Sequence, residues 1–172
     1  MVYQDYPQST GVYLPVPLFH RMVDAFPRLV MLKHEDAPGL AKLSRVRREA
    51  ERDGRRRVSV LVGNGALYLP QELARGADGA MTGFAYPEML VEVYERFTAG
   101  GADAAEDLFD AYLPLLRMEH QPGAGLAVRK WLLHRRGAIA SPALRAPGAG
   151  LTAEDQREIE RLVGRLERRL KG

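Results

Sequence analysis

Short apolar runs that resemble buried strands alternate along this chain with segments that have helical periodicity. Residues 29–32 (Leu-Val-Met-Leu) are a continuous apolar run, typical of a strand buried on both faces of a parallel sheet, and residues 58–62 (Val-Ser-Val-Leu-Val) are the clearest strand pattern. Weaker strand patterns occur at residues 2–3 and 79–82. The intervening three- and four-residue apolar spacing predicts helices over residues 17–26, 40–53 and 67–75. Such alternation predicts an α/β fold in which helical crossovers connect parallel strands.

From residue 87 onward the pattern is helical. One helix is expected to begin at Pro87, and others cover residues 104–118 and 126–136. A stretch rich in Pro, Gly and Ala precedes a last helix, which Thr152 is expected to cap with Asp155 three residues further on. The chain therefore has four strand patterns, fewer than the eight or so that close a barrel.

Composition excludes several classes of protein. The 172 residues include no cysteine, which rules out disulfides, thiolate metal sites and cysteine nucleophiles. The net charge is +3, and acidic residues interrupt the basic stretches, so these stretches are expected to be solvated helix surface rather than a nucleic-acid site. No apolar run approaches the ~20 residues of a membrane span, and residues 1–5 lack a leader pattern. We expect a cytoplasmic protein that binds neither nucleic acid nor membrane.

Lys33 is the residue with the sharpest chemical interpretation. It follows directly after an apolar run, where a strand is expected to meet a loop. A lysine that is shielded from water loses its proton more readily, and a neutral amine attacks a 2-keto acid to form an imine. Its position alone fits a surface lysine at a strand end at least as well.

Further polar groups and glycines follow the other strand patterns. Gly63 and Asn64 allow backbone N–H groups to approach a substrate carboxylate, although a tight turn explains them equally well. Tyr3 follows the first strand and is of a type that transfers protons. Barrel active sites are built at the carboxyl ends of the strands, so this shared location favours a functional interpretation of Lys33. The other candidates at these ends are Gln4, Tyr6, Thr10, Met81 and Thr82.

The neighbouring residues His34, Glu35 and Asp36 raise the question of a metal ion. Adjacent residues on one loop rarely converge on a single ion, and the remaining histidines have no partner at a metal-binding spacing. We therefore expect neither a metal nor another cofactor.

The order of these segments resembles the dihydrodipicolinate synthase/N-acetylneuraminate lyase family of class I Schiff-base aldolases. Residues 3–11 resemble the family's Tyr-Asn-x-Pro-x-x-(Ser/Thr)-Gly segment after strand five, and residues 30–33 resemble the strand-six segment that ends in the imine-forming lysine. Residues 61–65 and 76–82 resemble the segments of strands seven and eight. Each motif alone is weak, but their common order and spacing cover nearly the whole chain.

The resemblance implies an architecture. The fold would be the C-terminal half of a TIM (β/α)8 barrel, with about four parallel strands and their helices, plus extra C-terminal helices. Residues 1–100 would form the half-barrel, and residues 101–172 would form a C-terminal helical extension of the same domain. Strands one to four of the family have no counterpart in the sequence. The implied macromolecular partners are further copies of the chain or a missing N-terminal half-barrel.

The resemblance also implies a function: a lyase, either an aldolase or a dehydratase, that acts on pyruvate or another 2-keto acid through an imine on Lys33. The alternative is an inactive half-barrel that serves as a binding or assembly module and needs a partner half. The family's catalytic tyrosine aligns with Gln4 in an ungapped count from Gly11. A one-residue bulge would align it with Tyr3, which is the expected proton-transfer residue, and Tyr6 is another possibility. The residues that would bind the substrate are Gln4, Thr10, Gly63, Asn64, Met81 and Thr82.

Overall fold

The sheet is parallel and its strands follow one another in chain order. The computed structural model describes residues 1–171, and its strands are β1 (Val2–Asp5), β2 (Met31–His34), β3 (Ser59–Val62) and β4 (Gly79–Ala80). Their order in the sheet is β1-β2-β3-β4, and each pair of neighbours is parallel. A parallel strand that neighbours its predecessor requires a crossover, and helices supply it here. The predicted α/β half-barrel is confirmed.

Four helices accompany the sheet: α1 (Pro7–Thr10), α2 (Val16–Ala25), α3 (Gly39–Arg52) and α4 (Leu69–Ala74). The apolar stripes on α2 and α3 become buried in the core, where they meet the strands. The short helix α1 and a 3₁₀ turn at Asn64–Ala66 were not predicted, because single turns carry too few residues to show a periodicity. The buried core on this side of the sheet consists of Leu14, Val16, Phe19, Val23, Leu29, Leu32, Leu43, Val46, Val58 and Val60.

The two faces of the sheet differ in burial. Alternate residues of β2 and β3 are fully buried beneath the helices: Leu32, His34, Val60 and Val62. The residues between them point to the opposite face and are only partly buried. This less buried face is called the open face below. In a closed barrel it would point to the interior.

Residues 83–171 form a helical unit. Its helices are α5 (Pro87–Thr98), α6 (Ala102–Glu119), α7 (Gly125–Arg135) and α8 (Ala153–Arg169). Thr152 caps α8 in a capping box: its hydroxyl accepts from the Asp155 N–H, and the Asp155 carboxylate accepts from the Thr152 N–H. The cap predicted from the sequence is therefore present. No helix among residues 1–171 is long and apolar enough to cross a membrane.

Contacts divide the chain into two compact units. The first comprises Met1–Thr82 and contains the whole sheet, and the second begins at Gly83. The sequence-based division at residue 100 assigns α5 to the sheet-containing part, whereas the contacts place α5 with the helical unit. The carboxyl ends of all four strands, β1 to β4, lie in the first unit.

Candidate active site

Lys33 and Gln4 lie side by side on the open face. In the register of the sheet, Gln4 is the partner of Lys33, and Lys33 is the partner of Leu61. Register partners in neighbouring parallel strands point to the same face. Lys33 is one residue from the carboxyl end of β2, and one fifth of its side chain is exposed. The amine therefore lies at the end of the sheet where barrel active sites are built.

A carboxylate contacts the amine of Lys33. Glu35 follows β2, and its Oε2 lies 3.2 Å from Lys33 Nζ. The chain remains extended past the end of the strand, because the Glu35 N–H donates to the Asp5 carbonyl at 2.9 Å. Residues two apart in an extended chain share a face, so Glu35 joins Lys33 on the open face although it is one of the most buried charged residues.

Gln4 and Asn64 hold Glu35 from either side. The Gln4 amide Nε2 donates to Glu35 Oε2 at 2.5 Å, so this oxygen accepts from Gln4 and lies beside Lys33. The Asn64 N–H donates to Glu35 Oε1 at 3.4 Å, and its side-chain amide donates to the Glu35 carbonyl at 3.0 Å. Both carboxylate oxygens thus have a hydrogen-bond donor from a neighbouring strand or the loop after it.

Gly63 creates the space that Glu35 fills. A Cβ atom on Gly63 would overlap the Cγ and Oε1 atoms of Glu35. Directly after it, Asn64 has a φ of +50°, in the left-handed region that Asn tolerates better than most residues. The Gly-Asn pair thus lets the chain turn closely around the carboxylate and aim an N–H at it.

Tyr3 lies on the opposite face from Lys33. The strands β1 and β2 pair without interruption from Val2 to Asp5, so β1 has no one-residue bulge. Tyr3 is the register partner of Leu32 and packs against the apolar core beneath the helices. The proton-transfer role expected for Tyr3 stays a prediction, and this geometry argues against it because Tyr3 and Lys33 are separated by the sheet.

The other predicted substrate-binding residues are dispersed around the strand ends. Thr10 is exposed at the end of α1, where its hydroxyl donates to the Tyr6 carbonyl and accepts from the Val12 N–H. Met81 and Thr82 follow β4 and are partly accessible. The structure brings Gln4, Gly63 and Asn64 together around Glu35; Thr10, Met81 and Thr82 have no hydrogen bond to that group.

A buried ionic cluster lies on the helix-covered side of the same strand ends. Lys42 Nζ contacts Asp5 Oδ2 at 2.6 Å and Asp36 Oδ2 at 2.8 Å, and so links α3 to β1 and to the loop after β2. Burial alone would raise the pKa of Asp5, but the nearby His34 and Lys42 outweigh it and lower this pKa. His34 Nε2 pairs with the Gly39 carbonyl at 3.0 Å. The cluster fixes the position of the loop that carries Glu35.

A cavity of about 450 Å³ borders this loop on the outer side. Its wall includes Asp36, Pro38, Asn64 and Glu72. The Oε2 atom of Glu72 is buried without a hydrogen-bond partner, and burial raises the pKa of Glu72 to about 7. His34 offsets part of this effect of burial. Glu72 is therefore partly protonated near neutral pH.

The sequence interpretation missed Glu35. It considered this residue only as one of three neighbouring candidates for a metal site, and within residues 1–171 no cluster of three metal-ligating side chains occurs. The signal that identifies Glu35 is its spacing of two residues from Lys33 in an extended segment.

The fold and the site together define a class of protein. Parallel strands joined by helical crossovers, with the polar groups at the carboxyl ends of the strands, are the arrangement of (β/α)8 barrel proteins. Within that class the chain belongs to the dihydrodipicolinate synthetase family, whose model matches residues 1–166.

Individual relatives agree with this assignment. The chain is 30% identical to L-2-keto-3-deoxyarabonate dehydratase of Azospirillum brasilense over 95% of its own length and 52% of the relative's. It is 48% identical to a dihydrodipicolinate synthase from Rhodopseudomonas palustris, whose crystal structure it matches with a TM-score of 0.90 over 95% of this chain and 55% of that one.

More distant structures share the fold. A prophage protein of the family from E. coli K12, solved in complex with pyruvate, is 18% identical and matches with a TM-score of 0.78 over 96% of this chain and 55% of that one. The chain spans about half the length of the relatives that it matches.

Proposed function

We propose that this chain carries the imine-forming half of a lyase that acts on pyruvate or another 2-keto acid. The observation that carries the proposal is the 3.2 Å contact between Lys33 Nζ and Glu35 Oε2 at the carboxyl end of the sheet. An amine that forms imines needs a nearby group that moves protons, and a carboxylate is such a group. The solved relative in complex with pyruvate supports a 2-keto acid as substrate.

The proposed reaction begins with an imine on Lys33 and continues with proton transfer through Glu35. The neutral amine of Lys33 attacks the C2 carbonyl, the oxygen leaves as water, and a protonated imine remains on the nitrogen. Glu35 then removes a proton from C3, and the electron pair of that C–H bond forms an enamine with the imine as electron sink. In a dehydration, a hydroxyl on C4 leaves with the proton that Glu35 returns. In an aldol cleavage, Glu35 instead removes the proton of the C4 hydroxyl, the C4 carbonyl forms as the bond between C3 and C4 breaks, and the electron pair of that bond forms the enamine.

Dehydration is the reaction that we favour. A carboxylate beside the amine is suited to remove the C3 proton, which is the step that elimination requires. The similarity to L-2-keto-3-deoxyarabonate dehydratase supports the same choice. We further propose that Gly63, Met81, Thr82 and Thr10 line the path of the substrate at the strand ends.

Reductive trapping tests the imine. The chain is incubated with pyruvate and borohydride, digested and examined by mass spectrometry, and we expect a reduced pyruvate adduct on Lys33. A Lys33→Met variant should lose the adduct, whereas a variant of the exposed Lys171, Lys171→Met, should keep it. Wild-type protein without an adduct on Lys33 would contradict the proposal.

A second candidate is an assembly module that needs a partner half for activity. Two observations favour it: the chain spans about half of its relatives, and the open face of β1 remains accessible at Val2 and Gln4. Either a separate N-terminal half or another copy of this chain would supply four further strands. Sedimentation equilibrium measures the mass in solution, and a monomer with a single cooperative melt would argue against the need for a partner.

A further inference from the structure

Gln4 makes its hydrogen bond with the group that we propose to move protons. Its amide Nε2 donates to Glu35 Oε2 at 2.5 Å, and the same oxygen lies 3.2 Å from Lys33 Nζ. The amide is the one side chain from β1 on this face that is aligned with Lys33 in the register. A side-chain amide does not ionise near neutral pH, so Gln4 cannot act as acid or base itself.

The hydrogen bond from Gln4 to Glu35 matters most once the imine has formed. Before the imine forms, Glu35 Oε2 accepts from Gln4 and lies 3.2 Å from Lys33 Nζ. When the Lys33 nitrogen becomes a protonated imine, it keeps a single N–H. The Glu35 carboxylate then depends more on its other hydrogen-bond donors. Those are the Gln4 amide and the Asn64 N–H, which lies 3.4 Å from Oε1, a longer and weaker bond.

We propose that Gln4 is a positioning residue, which holds the Glu35 carboxylate in place for proton transfer at C3 of the imine. This inference rests on the proposed function, and it differs from the expectation that Gln4 binds the substrate. A substrate-binding Gln4 would change the pyruvate concentration needed for half-maximal imine formation. A positioning Gln4 leaves that concentration unchanged and alters the rate of proton transfer.

Exchange of the pyruvate methyl protons in D₂O isolates the proton-transfer step. The imine of pyruvate loses a C3 proton to Glu35 to form the enamine, the Glu35 carboxyl exchanges this proton with D₂O, and the enamine then takes a deuteron from Glu35. NMR follows the resulting loss of the methyl signal. Borohydride trapping on the same samples measures imine formation independently. The probe is pyruvate in both experiments, and the full chain is used.

The test uses two variants of Gln4 and a matched control. Gln4→Leu keeps the size and removes the donor, and we expect exchange to slow by about ten- to a hundredfold, since a hydrogen bond to a charged group is lost. Imine trapping at half-saturating pyruvate should stay within about twofold of the unmodified chain, as expected for a positioning role. Gln8→Leu, on the exposed surface of α1, should change neither value.

Gln4→Glu supplies a readout that loss of structure would not produce. The introduced carboxyl donates to Glu35 only while it is protonated, and when ionised it repels Glu35. We therefore compare the exchange rate of this variant with that of the unmodified chain at each pH. The ratio should fall as the pH rises through the range in which the new carboxyl ionises.

The possible outcomes separate the two proposals. If methyl-proton exchange is unchanged in Gln4→Leu, the positioning role is overturned. The same holds if exchange is slower only because imine trapping needs more pyruvate. Neither result affects the proposal that Lys33 forms the imine. A Gln4→Glu variant whose exchange follows the pH profile of the unmodified chain overturns the positioning role as well. An unmodified chain that traps no pyruvate overturns the proposed function and this inference together.

Discussion

The carboxylate of Glu35 occupies the space that a side chain on Gly63 would need. The close approach is specific, because a Cβ atom at this position would overlap the Cγ and Oε1 atoms of Glu35. Glu35 is also held by the residue after Gly63, through the N–H and the side-chain amide of Asn64. The position of the proposed acid–base group thus depends on the absence of a side chain at Gly63, the residue that follows β3.

The substitution Gly63→Ala should therefore displace Glu35 from Lys33. We expect methyl-proton exchange of pyruvate to fall by about 10²-fold or more, the usual contribution of a positioned acid–base group. Deuterium exchange measured by NMR checks this. Gly150→Ala is the matched control, because a Cβ atom there meets no atom within 4 Å. Exchange by Gly63→Ala at the unmodified rate would show that Glu35 does not need its observed place.

Lys42 is expected to be essential for stability, since it neutralises Asp5. The Asp5 side chain is 1% exposed and lies 2.6 Å from the Lys42 amine. Lys42→Met leaves a buried carboxylate unpaired, which should lower the free energy of unfolding by about 3–5 kcal/mol in urea denaturation. The double variant Asp5→Asn/Lys42→Met should regain part of this loss. A loss below about 1 kcal/mol would contradict the prediction.

Acidification should weaken the same cluster. The pKa of Asp5 is lowered in the folded chain below its usual 3.8, because the contributions of His34 and Lys42 exceed that of burial. A carboxyl with a depressed pKa stabilises the fold above its unfolded pKa and loses that stabilisation as the pH falls through the lowered value. Denaturation curves collected below pH 4 should therefore show less difference between the unmodified chain and Lys42→Met than curves at pH 7.

Glu72 gives the opposite dependence on pH. Burial raises its pKa from 4.5 to about 7, so the folded chain binds this proton more tightly than the unfolded chain. Stability should fall as the pH rises from 4.5 through 7, by up to about 3 kcal/mol from this group. Glu72→Gln should remove this decline and be more stable than the unmodified chain at pH 8. Glu51→Gln, on the exposed side of α3, serves as control; equal slopes for both variants would contradict the prediction.

In the helical unit, Arg129 is expected to stabilise the buried Glu119. Its Nε donates to Glu119 Oε1 at 2.5 Å, while Oε2 accepts from the Ala85 N–H at 2.9 Å. Burial raises the pKa of Glu119, and Arg129 offsets part of that effect. Since Arg129 is one-third exposed, Arg129→Met should cost about 1–3 kcal/mol in thermal or urea unfolding. Arg117→Met, exposed on α6, should cost less than about 0.5 kcal/mol, and equal losses would refute a specific role.

The strands and the position of Lys33 near the end of one of them were predictable, because local patterns reveal them. A continuous apolar run marks a strand in a parallel sheet, and the lysine follows such a run directly. The cap of α8 was likewise visible, since Thr152 and Asp155 interact over three residues. Each of these features involves residues that are close together in the chain.

The partners of Lys33 required knowledge of the register. Whether Tyr3 or Gln4 shares its face depends on how β1 aligns with β2, and a strand of four residues with only two apolar ones leaves both alignments open. The pair of Lys42 and Asp5 joins residues far apart in the sequence, which no local pattern indicates. Glu35 was the exception: the alternation of an extended chain already placed it beside Lys33.

The alternation of side chains along an extended segment has a consequence for changes in chain length between Lys33 and Glu35. Lys33 and Glu35 belong to one continuous segment, so about 7 Å of covalent backbone sets their spacing. Insertion or deletion of a single residue between them would send one of them to the far side of the sheet. The residues around the pair, Gln4 and Asn64, come from other segments, so substituting either one leaves the covalent spacing between Lys33 and Glu35 unchanged. Substitutions at these positions would therefore change the surroundings of the pair, whereas a change in chain length between Lys33 and Glu35 would separate the two side chains.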